Sequence, residues 1–197
     1  MYIRNIAFPL LMMVVALFAM TSCSEDDNTV EEYADWVNVN DKYFDEMTAK
    51  VQGMTGDTWK RVRTWSKNEA GATANSDFIL MEKLDSDPLA EDVYPQYTDS
   101  VKVHYRGRLI PSPTYPKGYL FDSSYSGTFD PLIASPSKMA VSGVVDGFST
   151  ALMNMRRGDY YKVYIPYQLG YGLTDNSTIP IPGGSTLIFE IRMVDFW

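Results

Sequence analysis

Hydrophobic and polar positions alternate most regularly in the C-terminal half of the chain. Between Ser100 and Leu109, Val101, Val103 and Tyr105 fall on one face and Lys102, His104 and Arg106 on the other. That period of two belongs to a half-buried strand. Tyr161, Val163 and Ile165 repeat it before Pro166, which ends a strand because it has no amide proton for the ladder. Leu187, Phe189, Ile191 and Met193 repeat it again, and Phe78 to Met81 reads as an entry strand. The period changes from about Val144 to Arg157, where Phe148, Ala151, Leu152 and Met155 share a face at helical spacing. Arg156 and Arg157 then fall in the last turn, where the helix dipole favours cations, and Gly158 supplies the terminating residue.

The N-terminal half has a different pattern. From Val30 to about Met54, Tyr33, Trp36, Val37, Val39, Tyr43, Phe44 and Met47 recur at spacings near three and four among charged residues. This predicts an amphipathic helix. Packing on the main domain is its expected role, because so short a seam makes a poor coiled coil. Thr58 to Ser66 predicts a short strand carrying Trp59 and Trp65, and Asn68 to Ser76 a loop. Several strands around one short helix predict an α+β fold, a curved antiparallel sheet wrapping its helix with a pocket between them.

Ahead of these elements, Arg4 precedes an apolar run from Ile6 to Met20 and then Thr21-Ser22-Cys23. A charged start, an apolar stretch and small residues are the parts of a secretory leader. The run is short for a helix that must cross about 30 Å of hydrocarbon. The chain divides on this reading into a leader (1–22), an acidic linker with a helical extension (23–75) and a main domain (76–197).

Composition narrows the function. A net charge of −8 argues against a nucleic-acid binder, which needs a basic face. One cysteine and one histidine, Cys23 and His104, leave no disulfide, no multi-histidine metal site and a poor Ser-His-Asp triad. No metal or cofactor is expected.

Several segments in sequence order carry a resemblance. They are Val103-His104-Tyr105-Arg106-Gly107-Arg108-Leu109, Phe121-Asp122-Ser123-Ser124, and Val141-Ser142-Gly143 with Gly147 and Met155-Arg156-Arg157-Gly158-Asp159. Ile165-Pro166 with Leu169-Gly170-Tyr171-Gly172 follows, and then the ending from Ile179 to Glu190. Together they resemble the FKBP-type peptidyl-prolyl isomerases. The resemblance implies an FKBP-like curved antiparallel half-barrel wrapped round one short helix, with an apolar pocket for proline. Cys23 similarly resembles the lipidated cysteine of bacterial lipoproteins, although Met20 stands where Leu is commonest. The following Ser24-Glu25-Asp26-Asp27 resembles the export signal of Bacteroidetes surface lipoproteins. A lipid anchor in the outer membrane, facing the periplasm or the cell surface, is what this implies.

By position, the resemblance assigns Tyr105, Phe121, Val144 and Phe189 to the pocket lining and Ala140, Val141 and Ile181 to contacts with residues flanking proline. Tyr171 would offer its hydroxyl to a substrate carbonyl, and Asp122 would orient at the rim. The substrates would be proline-containing segments of exported polypeptides. Outside the resemblance, Val103, Tyr105 and Phe189 would be core in any β domain, and Asp122 would cap a turn with Ser123 and Ser124. His104 is read as structural or surface.

Three departures are visible. Val144 stands where the family commonly has a Trp that floors the pocket. In the loop after Asp122, Gly127 and Pro131 replace a basic residue and an aromatic, for which Phe129 is a candidate substitute. The Ile110 to Leu120 connection is enlarged and proline-rich. Two further function classes therefore stand beside the isomerase: a weakly catalytic or non-catalytic module binding unfolded or proline-containing segments, and a glycan- or nutrient-capturing surface protein using Trp59 and Trp65.

Overall fold

A computed structural model describes residues 31–176 and 178–197. Cys23 and the leader lie outside the described residues. Glu32–Trp197 form one compact unit.

Among the described residues, seven antiparallel strands form one sheet: β1 (Trp59–Arg63), β2 (Phe78–Asp85), β3 (Ser100–Arg108), β4 (Leu120–Ser123), β5 (Ser137–Ala140), β6 (Tyr160–Ile165) and β7 (Leu187–Phe196). They lie in the order β1-β2-β6-β7-β3-β4. β5 pairs with Ser100–Val103 of β3, and β4 with Arg106–Arg108. Helix α1 spans Trp36–Gln52 and helix α2 spans Asp146–Leu152.

The two-residue period explains which side chains meet. Met81, Val163 and Phe189 lie side by side across β2, β6 and β7, as do Tyr161, Ile191 and Tyr105 across β6, β7 and β3. This inner face packs against α2, where Ala151 and Leu152 are fully buried. Each such side chain contributes up to about 3 kcal/mol, least for the small Ala151. Gly147 is needed for the approach, because a Cβ there would collide with the Ile165 side chain. The opposite face is also buried at Leu80, Tyr164 and Ile188, and α1 covers that side.

Three hydrogen bonds fasten α1. Trp36 Nε1 donates to Ser185 Oγ (2.8 Å), the Thr186 amide donates to Asn40 Oδ1 (2.7 Å), and Asn75 Nδ2 donates to Asp45 Oδ1 (2.8 Å). The helix begins later than the apolar beat suggested, after a turn at 32–35. Its buried stripe is Trp36, Asn40, Phe44, Thr48 and Val51, while Val37 and Val39 face outward. Asn40 takes the place of an apolar residue because the docking site presents the Thr186 backbone N–H as well as hydrocarbon.

Two further differences concern element limits. β1, which falls within the 23–75 extension of the sequence reading, is the edge strand of the sheet. Helix α2 stops at Leu152, so Arg156 and Arg157 do not complement its dipole. Arg156 pairs with Asp159 (3.5 Å), and Arg157 donates to Asp195 Oδ1 (2.8 Å) and to the Phe196 carbonyl (2.6 Å). Gly158, at φ 82°, turns the chain into β6.

The two tryptophans of the glycan reading each have an aromatic neighbour. Trp59 stacks on Tyr164 with centroids 5.7 Å apart, and Trp65 packs on Tyr97 at 4.0 Å.

Candidate functional site

Between the inner sheet face, α2 and the Tyr171 loop lies a cavity of about 350 Å³ lined by Tyr105, Asp122, Met139, Gly143, Val144, Val145, Phe148, Tyr171 and Phe189. Its apolar wall is aromatic. The rings of Phe148 and Phe189 meet edge to face at 4.8 Å, and Phe121 meets Phe189 the same way at 5.4 Å. Edge-to-face pairs satisfy the ring quadrupoles and resist rotation. Gly107 permits this packing: a Cβ there would come within 2.6 Å of both Phe121 and Phe189.

The polar wall is built around Asp122, which lies opposite Gly107 in the β3–β4 register. The Tyr105 hydroxyl donates to Asp122 Oδ2 at 2.8 Å, and the Ser123 amide donates to Oδ1 at 2.8 Å. Both carboxylate oxygens are therefore held, and the group has one orientation. Burial raises the Tyr105 pKa first, and the hydrogen bond to Asp122 raises it further. Tyr171 is raised by burial and then by the Asp122 charge. Both phenols keep their protons at neutral pH; that of Tyr105 is given to Asp122, and that of Tyr171 is left to donate.

Tyr171 reaches this cavity because Pro166 stops β6 and a single turn, Tyr167–Leu169, redirects the chain. The Gly172 amide closes on the Tyr167 carbonyl (2.9 Å), and the Gly184 amide on the Gly172 carbonyl (2.8 Å). The Tyr171 side chain is left 37% exposed, and no hydrogen bond of its hydroxyl is found among the described residues. A donor facing a cavity of apolar rings suits a ligand carbonyl.

The structure thus brings Tyr105, Asp122, Val144, Tyr171 and Phe189 together around one space. The other expected positions lie elsewhere. Phe121 stands behind Phe189 and over Gly107. Val141 is fully buried in the core, with its amide on the Asp99 carbonyl (2.9 Å). Ala140 is exposed at the end of β5. Ile181 is 2% exposed and faces a second hollow. Phe129 does not supply the missing aromatic, because it packs on His104 (4.9 Å) and under the Arg192 guanidinium (4.7 Å) on the outer face. His104 is itself buried there, in keeping with a structural role.

Met139, Val145 and Phe148 were not anticipated as lining. Phe148 carried a signal, since it lies on the apolar face of α2, but that face serves both core and cavity. Met139 sits on a strand of four residues, too short for its alternation to be read.

Comparison with known proteins agrees with this geometry. Residues 91–194 match the family described as FKBP-type peptidyl-prolyl cis-trans isomerase. The "FKBP-type peptidyl-prolyl cis-trans isomerase FkpA" of Buchnera aphidicola subsp. Baizongia pistaciae is 30% identical over 159 residues, 78% of this chain and 55% of that protein. The "FKBP-type 22 kDa peptidyl-prolyl cis-trans isomerase" of Escherichia coli K12 is 35% identical over 105 residues, 53% and 45% of the two chains. The chain spans about half the length of the curated relatives it matches. Among solved structures, a peptidyl-prolyl cis-trans isomerase from Pseudomonas syringae pv. tomato gives a TM-score of 0.55 at 23% identity, covering 81% of this chain and 95% of that one. FkpA from Escherichia coli gives 0.56 at 21% identity, covering 100% and 73%. These two likenesses establish the shared fold.

Proposed function

Because the chain belongs to the FKBP-type peptidyl-prolyl cis-trans isomerase family, we propose that it speeds rotation about X-Pro bonds in exported polypeptides. In this reading residues 1–22 are a leader, and a lipidated Cys23 holds the protein at the outer membrane, on the periplasmic side or at the cell surface. Rotation about an X-Pro bond meets a barrier of roughly 18–20 kcal/mol and takes tens to hundreds of seconds unaided. No bond is broken, so the reaction asks for no nucleophile, metal or cofactor. It asks for tighter binding of the twisted amide than of either planar form.

The observation that carries this reading is the pairing of an apolar ring wall with two proton-bearing phenols and one fixed carboxylate around a single cavity. Proline enters between Phe148, Phe189 and Val144. Twisting removes the amide's charge separation, so a site poor in water favours the twisted form. The Tyr171 hydroxyl donates to a carbonyl of the bound segment and keeps it in register. Asp122, locked by Tyr105 and Ser123, faces the rotating bond as a fixed negative group.

A second reading has its own observation. Val144 and the outward Phe129 leave the cavity without two aromatic walls common in the family, which favours a module that holds proline segments with little turnover. A protease-coupled proline-isomerisation assay on residues 24–197 separates the two. Acceleration at catalytic amounts, lowered at least tenfold by Asp122→Val or Tyr171→Phe, is the expected result. A rate equal to the uncatalysed one with the protein folded would leave only the binding module. Full activity in both variants would remove these two residues from the site.

A further inference from the structure

One wall of the cavity is a single short piece of chain. Gly143, Val144 and Val145 all line it. They follow directly on β5, which ends at Ala140, through one turn at Val141–Gly143, and they lead into α2 at Asp146. The place of Val144 and Val145 against a bound proline therefore depends on what holds this piece.

Ser149 of α2 binds both of its ends. The Ser149 amide donates to the Val145 carbonyl (3.0 Å), and the Ser149 hydroxyl donates to the Val141 carbonyl (2.6 Å). The Val144 carbonyl lies 3.5 Å from the same hydroxyl. The first bond is ordinary helix geometry, from an amide to the carbonyl four residues earlier. The second is not. A serine inside a helix commonly returns its hydroxyl to that same carbonyl, and the neighbouring Thr150 does so with Asp146 (2.8 Å). The Ser149 hydroxyl instead reaches a residue eight positions back, outside the helix. Val141 is thereby tied to α2 through its carbonyl and to the start of β3 through its amide, which donates to Asp99.

Ser149 itself is 1% exposed and is not part of the cavity lining, so it acts on a ligand only through the segment it holds. Thr150 offers the contrast. It is just as buried, and its hydroxyl also accepts the Trp65 amide (3.2 Å), so it fastens α2 to the connection between β1 and β2 and contributes nothing to the lining.

Resting on the isomerase reading, we propose that Ser149 is a positioning residue of the cavity, whose hydroxyl fixes the Val141–Val145 segment and with it the wall that meets proline. A displacement of about 1 Å at a site can cost as much as a hundredfold in rate. With the ends of the segment still tied by backbone bonds, loss of the hydroxyl should lower kcat/KM by about tenfold.

The test uses residues 24–197, which contain the whole compact unit, and compares Ser149→Ala, Ser149→Thr and Thr150→Ala. Each is assayed for kcat/KM on an X-Pro tetrapeptide, for its urea midpoint and for its ¹⁵N amide shifts. The expected result is a loss of about tenfold in Ser149→Ala, with Gly143, Val144 and Val145 shifted, and a rate within about twofold of the parent in Thr150→Ala. Ser149→Thr keeps the hydroxyl and should recover most of the rate, although its added methyl lowers the urea midpoint. A loss that merely followed stability would instead be at least as large in Thr150→Ala, which removes two hydrogen bonds. Equal losses in Ser149→Ala and Thr150→Ala would overturn the proposal. So would an unchanged rate in Ser149→Ala, or a folded Ser149→Thr as slow as Ser149→Ala. If either Ser149→Thr or Thr150→Ala fails to fold, the other still decides the matter. A parent that does not accelerate rotation at all would refute the isomerase reading instead. The dissociation constant of the same peptide, weakened about tenfold in Ser149→Ala and not in Thr150→Ala, would then decide the role of Ser149.

Discussion

Gly107→Ala tests the way the cavity wall is built. The added methyl would lie 2.6 Å from Phe121 Cζ, 2.6 Å from Phe189 Cε1 and 2.7 Å from Phe121 Cε2. Carbon atoms are comfortable at about 3.5–4.0 Å, so both rings must retreat by roughly 1 Å. Neither is free to do so. Phe189 is held edge to face by Phe148 at 4.8 Å and by Phe121 at 5.4 Å. Overpacking of this kind costs about 1–3 kcal/mol, and two interlocked rings place the variant near the upper limit. Urea unfolding followed by tryptophan fluorescence should show a lower midpoint with an unchanged slope. Because Phe189 also lines the cavity, kcat/KM on a short X-Pro peptide should fall by about tenfold under conditions where the variant is still folded. A stability within about 0.5 kcal/mol of the parent would refute the interlocked-wall account, whatever the activity.

Val144→Trp should raise kcat/KM about fivefold in the same assay. A ring placing roughly 40 Å² against the proline contributes about 1 kcal/mol, and a loss of activity would show that the floor is already filled. Asn40→Ala should destabilise by about 1–3 kcal/mol in urea, because the buried Thr186 amide loses its acceptor, and should leave the tetrapeptide rate unchanged. The Asp77 carboxylate, held below its ordinary range by Lys67 and the amides of Ala74 and Thr73, adds stability that is present above the unfolded pKa of about 3.9 and is lost as pH falls through the lower folded value. Asp77→Asn should therefore be less stable than the parent at pH 7 and should lose less on acidification, measured as thermal midpoints between pH 7 and pH 3.

Much of the sheet was legible because its strands are half-buried, and a period of two then reports the face of every residue. Tyr105, Val163 and Ile191 follow directly from that. The site was legible where a motif fixes the local geometry: Asp122 beside a turn that its own carboxylate caps, and Tyr171 between glycines that fold the loop under it. What was not legible depends on partners distant in sequence. Nothing near Asn40 announces that it receives the Thr186 amide across 146 residues. Ile181 and Val141 are apolar residues beside the site, and pattern alone does not say whether such a residue faces a cavity or the core. Phe129 failed for a related reason, because Arg192 and His104 on the outer face offered its ring a better-matched surface than the cavity did. The early stop of α2 left Arg156 and Arg157 to bind carboxylates of a turn and of β7, which helix periodicity cannot anticipate.

The most direct test of the central claim is exchange NMR at equilibrium on an X-Pro peptide in excess over residues 24–197, with labelled chain monitored in parallel. Cis–trans cross-peaks that appear on adding about 1% of the chain, and that weaken strongly in Tyr171→Phe while the peptide still shifts Tyr105 and Phe189, are the predicted result. No cross-peaks beyond the uncatalysed exchange, with Tyr105 and Phe189 shifted by bound peptide, would contradict it and leave a proline-binding module on an isomerase fold.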